Sequence, residues 1–404
     1  MAVSTNKRIF YPANSIAIKN NGGALTFTTG HVVHGAQTAS IDSNFNLEPV
    51  SELGLLETYE NVEGIPDVNV SIQKVADGFP PVYLLATVTG TDPTLVGRSN
   101  ARCSIGLAVY PDTSNFASGT PLSMVACSGM FVNSVSYTFP ANGNFTEDVS
   151  FVGNDKIWTR AVGTATGTPN YGEPDLATMP VLTWNAHMPA HDSPRATAGV
   201  GRSQSFNWAV PALSGGYVAD VNGAVDHPDI TVLPTEIFGI TLSGLNTESV
   251  VGEYDTHVES ITISTSFNRE SINELGRRGP YNRSITFPVD VTSQIVVTST
   301  EGDLVSHTEK GIFGTGTGLC AASNSNLRDR TIRIATCEGI RIYLGVKNRL
   351  ASVSYGGADA GGGNAKATYN YTNQNIMTVM HQYDPHPSGS VWWANRTTNG
   401  YLTD

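Results

Sequence analysis

Charge is scarce in this chain of 404 residues. Only 14% are Asp, Glu, Lys or Arg, and the basic residues are the minority, 23 against 35 acids, for a formal net charge of −12. A protein that grips nucleic acid by its phosphates needs clustered Lys and Arg, and no such cluster stands out. Tight phosphate binding is therefore excluded, whereas a wall that DNA slides past without sticking is not. Helical periodicity is also scarce, since few segments hold an apolar 3.6-residue stripe for three turns. No apolar run approaches the roughly 20 residues of a membrane helix. Met1 to Tyr11 carries two basic residues and no apolar stretch after them, so no secretory signal is expected, and synthesis and retention in a cytoplasm are. The four cysteines, Cys103, Cys127, Cys320 and Cys337, are too far apart for CxxC metal geometry. A reducing compartment favours buried thiols over disulfides, and the two cysteines of each half are expected to lie near each other.

The signatures of catalysis are missing too. His187 and His191-Asp192 have a helical metal spacing, but Pro189 and Pro194 break any helix that would align the imidazoles. His381, Asp384 and His386 stand beside Pro385 and Pro387 and read as an extended tail. Gly314-Thr-Gly-Thr-Gly318 lacks the following helix or GK[ST] of a phosphate loop. There is no GxSxG elbow and no carboxylate pair in a defined setting. No catalytic residue, metal ligand or cofactor is assigned, and a non-enzyme is expected.

What is present is Gly, Ser, Thr, Asn and Val in period-two patterns, the composition of an all-β protein. The chain also repeats itself. Asn44-Phe-Asn-Leu-Glu-Pro-Val-Ser-Glu-Leu-Gly54 resembles Ser266-Phe-Asn-Arg-Glu-Ser-Ile-Asn-Glu-Leu-Gly276, a separation of 222 residues that carries Tyr59 onto Tyr281 and Pro66 onto Pro288. Cys127-Ser-Gly129 matches Cys337-Glu-Gly339, and Gly143-Asn144 matches Gly363-Asn364, bringing Val149 and Phe151 onto Tyr369 and Tyr371. The expected organisation is a first copy over 1–160, a Gly/Pro/Ala-rich linker or arm over 161–228, a second copy over 229–384 and a tail over 385–404, which contains Trp392-Trp393.

In the second copy, Ile261 and Ile263 alternate with Thr262 and Ser264. After Gly276-Arg-Arg-Gly-Pro280, Ile285, Phe287, Val289 and Val291 alternate with Thr286, Asp290 and Thr292. These runs are expected to form a long hairpin, half buried and half wet. A second hairpin is expected to join a strand through Ile340, Ile342, Leu344 and Val346 to one through Ala365, Ala367, Tyr369 and Tyr371, across the tip Gly356–Gly363. The first copy repeats the plan near 38–46, 62–73, 129–139 and 144–152. One mismatch stands: Val68 falls on Asp290, which swaps the faces after the shared proline. Either a β-bulge or a one-residue slip in the alignment would do this.

The run Ile261-Thr-Ile-Ser-Thr-Ser-Phe-Asn-Arg-Glu-Ser-Ile-Asn-Glu-Leu-Gly-Arg-Arg-Gly-Pro-Tyr-Asn-Arg-Ser-Ile-Thr-Phe-Pro-Val-Asp-Val291 resembles the strand–loop–strand centre of the major tail tube proteins of bacteriophages. Thr298-Ser-Thr-Glu-Gly-Asp303 is similar to the turn that follows, and Phe151 to Trp158 to the segment that closes a tube domain. The resemblance covers roughly 38–158 and 258–380. It implies two tandem tail-tube β-sandwich/barrel domains, each giving two long hairpins to a lumen barrel closed across subunits. It also implies that three chains make a pseudo-hexameric ring, trimer favoured over hexamer, in the duplicated-domain type of long-tailed phages. The implied partners are other copies of the chain, other tail proteins, and double-stranded DNA that crosses the lumen without specific binding. The implied location is the virion tail, assembled in the host cytoplasm.

The lumen candidates are Asp148, Thr262, Ser264, Thr286, Asp290, Thr292 and Thr368, with Ile261, Phe287, Val289, Val149 and Tyr371 on the packed side. Candidates for ring or loop contacts are Arg277, Arg278, Tyr281 and Tyr59; the arginine pair suits either an acidic neighbour or a solvated loop tip. Two other classes stay open. An adhesive, carbohydrate-binding β-sandwich virion protein at a tail tip or decoration would show clustered exposed aromatics, and a polysaccharide hydrolase needs two carboxylates at glycosidase separation.

Overall fold

A computed structural model describes residues 14–20, 32–87, 94–110, 123–160, 257–276, 279–298, 332–335, 340–345, 347–356 and 363–381. The arm over 161–228, the tail after 385, Arg277, Arg278, Cys320, Cys337 and the Gly314–Gly318 run lie outside them. Among the described residues strands dominate, and the all-β class holds.

The centre is one antiparallel path of eight strands: β16 (Arg349–Gly356), β17 (Lys366–Gln374), β13 (Asp290–Thr298), β10 (His257–Ser266), β7 (Ser123–Pro140), β8 (Thr146–Gly153), β5 (Asp67–Val75) and β2 (Ala36–Asn44). The first four belong to the second half of the sequence and the last four to the first half. They meet at β7 and β10, where Val135 lies opposite Thr265 and Tyr137 opposite Ile263.

Order and register recur between the halves. Ala39 faces Ile72 and Ile41 faces Val70 on β2 and β5; Ile261 faces Ile295 and Ile263 faces Ser293 on β10 and β13. Ile72 then faces Val149 as Ile295 faces Tyr369, and Val135 faces Val149 as Val353 faces Tyr369. Even the irregularities coincide. Register shifts between Ala36 and Thr38 and between Val258 and Ser260, and again between Val132 and Ser134 and between Leu350 and Ser352. Bulges at matching places bend matching strands alike.

This register resolves the swapped faces. Val68 corresponds to Val291, because Val68, Val70 and Ile72 pair with β8 as Val291, Ser293 and Ile295 pair with β17. The second half has one extra residue just past the shared proline, so the fault was a one-residue slip. The same register matches β7 to β16 with Val135 on Val353, and Cys337 lies outside the described residues.

One face of the sheet packs a common core. Ile261, Val289, Val149 and Tyr371 are buried in it as expected. Off the eight-strand path, β6 (Cys103–Val109) and β9 (Asp155–Arg160) pair with the first half of β7, and β1 (Asn14–Asn20) pairs with β6. Gly129, at φ 61, stands where β7 passes from that pairing to the main sheet. Cys103 and Cys127 are both buried, on the paired strands β6 and β7.

Two expectations are corrected. Phe287 is 45% exposed, since the run from Ser284 to Thr292 is not one strand. It splits into β12 (Asn282–Ile285), which pairs with β11 (Arg269–Ile272), and β13, with Pro288 at the break, where no N–H is available for a ladder. The run Ile340 to Leu344 does not pair with β17. As β15 (Ile340–Tyr343) it joins β14 (Arg333–Ala335) and β18 (Thr378–His381) in a separate sheet, with Ile340, Ile342 and Tyr343 buried. The partner of β17 is instead β16, reached after Gly345 turns the chain at φ 73. Among the described residues the sheet does not close into a barrel within one chain, as a barrel closed across subunits requires. The eight-strand path is open, with β2 and β16 as its edges.

Candidate functional site

The exposed face of the eight strands is built from hydroxyls, amides and a few acids. Alternation puts the apolar set in the core and leaves Ser, Thr, Asn, Gln and Asp on the other side. The hydroxyls meet across strands. Ser40 and Ser71 are 2.7 Å apart, Ser134 and Ser150 2.5 Å, and Ser264 and Thr292 2.8 Å, while the Asn370 amide donates to Ser352 at 2.9 Å. Four of the seven neighbouring strand pairs thus carry a polar pair that satisfies itself and leaves little to grip a passing molecule. Lys366 and Arg349 are the exposed basic residues on these strands. Lys366 is 2.6 Å from Glu259, and Arg349 belongs to the opposite end of the sheet.

A shallow groove along this face is lined by Asp148, Ser264, Asp290 and Thr292 among others. Four of the seven lumen candidates are therefore gathered in one place. Thr262 and Thr368 alternate with the buried Ile261, Ile263, Ala367 and Tyr369, which puts them on the same face. Thr286 is the exception: it lies exposed between β12 and β13, off the sheet. Burial raises the Asp148 pKa, with Gln73 opposing the shift by a hydrogen bond.

Two hairpins project from matching points of the sheet. One is β3 (Leu47–Ser51) with β4 (Thr58–Glu63); the other is β11 with β12. Tyr59 and Tyr281 hold matching positions on them and are each 62% exposed. The first hairpin exposes Leu47, Val50, Leu53, Leu55, Leu56 and Val62 beside five glutamates, Glu48, Glu52, Glu57, Glu60 and Glu63. A patch of this kind marks a surface that meets another molecule.

The second hairpin is fastened to the first half of its own chain. Arg269 donates from Nε to the Val132 carbonyl at 2.6 Å, from Nη2 to Ser99 at 2.8 Å and from Nη1 to Arg283 at 3.0 Å. Its guanidinium stands over Phe131 and Phe267, 4.8 and 5.7 Å from their centroids. Burial lowers its pKa to about 10, which still leaves it protonated near neutrality. Arg283 forms an ion pair with Asp67 and donates to Asn154 at 3.2 Å. Sequence reasoning passed over both arginines. The available signal was a departure within the repeat, because Leu47 stands where Arg269 does.

Beneath the sheet lies a second polar device. Helix α1 (Val82–Ala86) starts after Pro81 with no side-chain cap of its own. The buried Glu147 supplies one from β8, accepting from Val82 N–H at 2.5 Å, Tyr83 N–H at 3.1 Å and the Tyr137 hydroxyl at 2.9 Å. Desolvation raises the Glu147 pKa, while those donors and Lys74 oppose the shift. Lys74 is itself buried, ion-paired with Asp77 and bonded to the His34 carbonyl at 2.7 Å. These groups are sealed in the core and structural. Among the described residues, no group of three or more His, Cys, Asp or Glu is placed to hold a metal ion, and no helix is long and apolar enough to cross a membrane.

No family model matches the chain, and no curated protein matches its sequence. Some solved structures are similar in part. A chain from the PVC sheath–tube complex of an extracellular contractile injection system, in its extended state, is 10% identical over 39% of this chain and 96% of that one, with a TM-score of 0.28. A chain from the tube-terminating cap of the anti-feeding prophage is 13% identical over 40% of this chain and all of that one, with a TM-score of 0.27. One from the virion of a native gene transfer agent is 12% identical over 32% of this chain and 88% of that one, with a TM-score of 0.21.

Proposed function

We propose that the chain is a non-enzymatic structural subunit of a phage tail tube. Copies close edge to edge into rings, the rings stack, and genomic DNA is ejected through the lumen. The observation that carries this reading is the sheet that stays open among the described residues, with two like four-stranded halves in tandem and an edge strand at each end. An open edge invites another strand, and closure removes both edges at once. Two tube domains per chain, a duplication, favour a trimeric ring. Three chains would then supply about 24 strands, more than the barrels that already leave an aqueous channel.

The hydroxyl and acid face is the lumen wall in this account. Each Lys or Arg that met a phosphate would release counterions and add affinity at every ring. Hydroxyls and sparse carboxylates leave the duplex hydrated and mildly repelled. The partners are further copies of the chain and other tail proteins, with no cofactor, in the virion tail after assembly in the host cytoplasm. Negative-stain microscopy of the purified protein tests the reading. Open-ended tubes of uniform width support it; a bounded oligomer that binds glycans would favour the adhesive alternative.

The lumen assignment makes its own forecast. Thr292→Lys, in the exposed groove, should fold and assemble normally, yet virions carrying it should release DNA several-fold more slowly, most of all at low salt. Dye fluorescence after triggered ejection reads the rate. Unchanged kinetics would place Thr292 outside the channel.

A further inference from the structure

The junction between the two halves of one chain is a template for the junction between chains. We infer that β2 of one copy pairs antiparallel with β16 of the next in the β7–β10 register: Ser40 opposite Gly356, Ile41 opposite Tyr355, Asp42 opposite Ser354, Ser43 opposite Val353 and Asn44 opposite Ser352. This deepens the ring reading and rests on it.

The register follows from matched pairings. Strand β10 pairs with β13 as β2 pairs with β5, so Ile263 corresponds to Ile41 and Thr265 to Ser43. Strand β7 pairs with β8 as β16 pairs with β17, so Val135 corresponds to Val353 and Tyr137 to Tyr355. Within the chain, Ile263 faces Tyr137 and Ser264 faces Ser136. Moving each residue to its counterpart gives the intermolecular pairs with no free choice, since a one-residue shift would turn every side chain to the wrong face.

Exposure supports the transfer. Tyr137 is 1% exposed beneath β10, whereas its counterpart Tyr355, at the open edge, is 53% exposed. Phe267, just past the end of β10, is 1% exposed, and its N–H donates to the Asn133 carbonyl at the β7 bulge at 2.8 Å. Its counterpart Phe45, just past the end of β2, is 58% exposed. Both aromatics occupy core positions of the repeat that no described strand of the same chain covers. A second copy supplies a covering strand to each.

The fastening differs between the two junctions. Inside the chain, Arg269 from the second half reaches over Phe131 of the first. At the counterparts of these two positions stand Leu47 and Arg349, so between chains the arginine comes from the other partner, toward Leu47 and Phe45. The β3–β4 hairpin is carried onto the neighbouring copy as β11–β12 is carried onto the first half. The link between chains accordingly has Leu47 where the link within one has Arg269.

Paired cysteines in the full-length protein test the register, because directly opposed strand residues lie within disulfide reach. Ser136→Cys with Ser264→Cys calibrates the method on the known internal pair and should close a bond within one chain. Asp42→Cys with Ser354→Cys should link separate chains on mild oxidation, giving dimers and trimers on non-reducing gels, with peptide mapping showing the 42–354 bond. Asp42→Cys with Tyr355→Cys, one residue out of register, should link at least tenfold less. Rings visible by microscopy with the 42–354 pair unlinked, or with the 42–355 pair linked better, would overturn the register and leave the ring standing. No ring from the unsubstituted protein would overturn both.

Discussion

Truncating Glu147 to alanine is expected to cost the fold about 3–5 kcal/mol, because three buried donors lose their acceptor together. The Val82 and Tyr83 amides and the Tyr137 hydroxyl all converge on this carboxylate. A buried donor left without a partner costs roughly 1–3 kcal/mol, and the void offers no replacement oxygen. Urea unfolding of the full chain measures it as a lower midpoint at an unchanged slope. A loss under about 1 kcal/mol would mean that water satisfies the donors and the cap is dispensable. The same residue sets a pH dependence. Its folded pKa is raised, so its contribution is fully present below the unfolded value of about 4.3 and is lost as pH rises through the folded value. Compared with Glu147→Gln, the parent should therefore lose relative stability between acid and neutral pH.

Arg269→Ala is expected to be of similar size, about 3–5 kcal/mol, and to act on the joint between the halves. It removes three hydrogen bonds from a charged donor and the stacking on Phe131 and Phe267. Arg269→Lys should recover little of this, because an ammonium cannot reproduce a planar fork that reaches three carbonyls. Hydrogen exchange localises the effect: amides of β10 and of the second half of β7 should lose protection, while those of β2 and β5 should change least. Uniform loss across the sheet would show that Arg269 supports general stability and not the joint.

The strands and their faces were largely legible, because period-two alternation is written locally. Ile261, Ile263, Val149, Phe151 and Tyr371 are buried where alternation puts them, and Ser264, Asp290 and Thr292 are on the wet side. What failed was pairing. Ile340, Ile342 and Leu344 alternate as a strand should, but alternation does not say which neighbour a strand takes. Phe287 was assigned to the packed face because Pro288, which ends the pattern, was read through. The β7–β10 joint was invisible, since its strands are far apart in sequence and no local period encodes a partner. Arg269 could have been noticed, because its counterpart in the repeat is Leu47.

Threefold or sixfold symmetry in the assembled ring is the most direct test of the central claim. Averaged cross-sections from electron cryomicroscopy, with the subunit number from native mass spectrometry, supply both quantities. The account predicts three chains per ring, about 24 lumen strands, and threefold symmetry in which alternate junctions differ at Arg269 and Leu47. Six chains in a true sixfold ring, or a lumen face crowded with lysine and arginine, would contradict it.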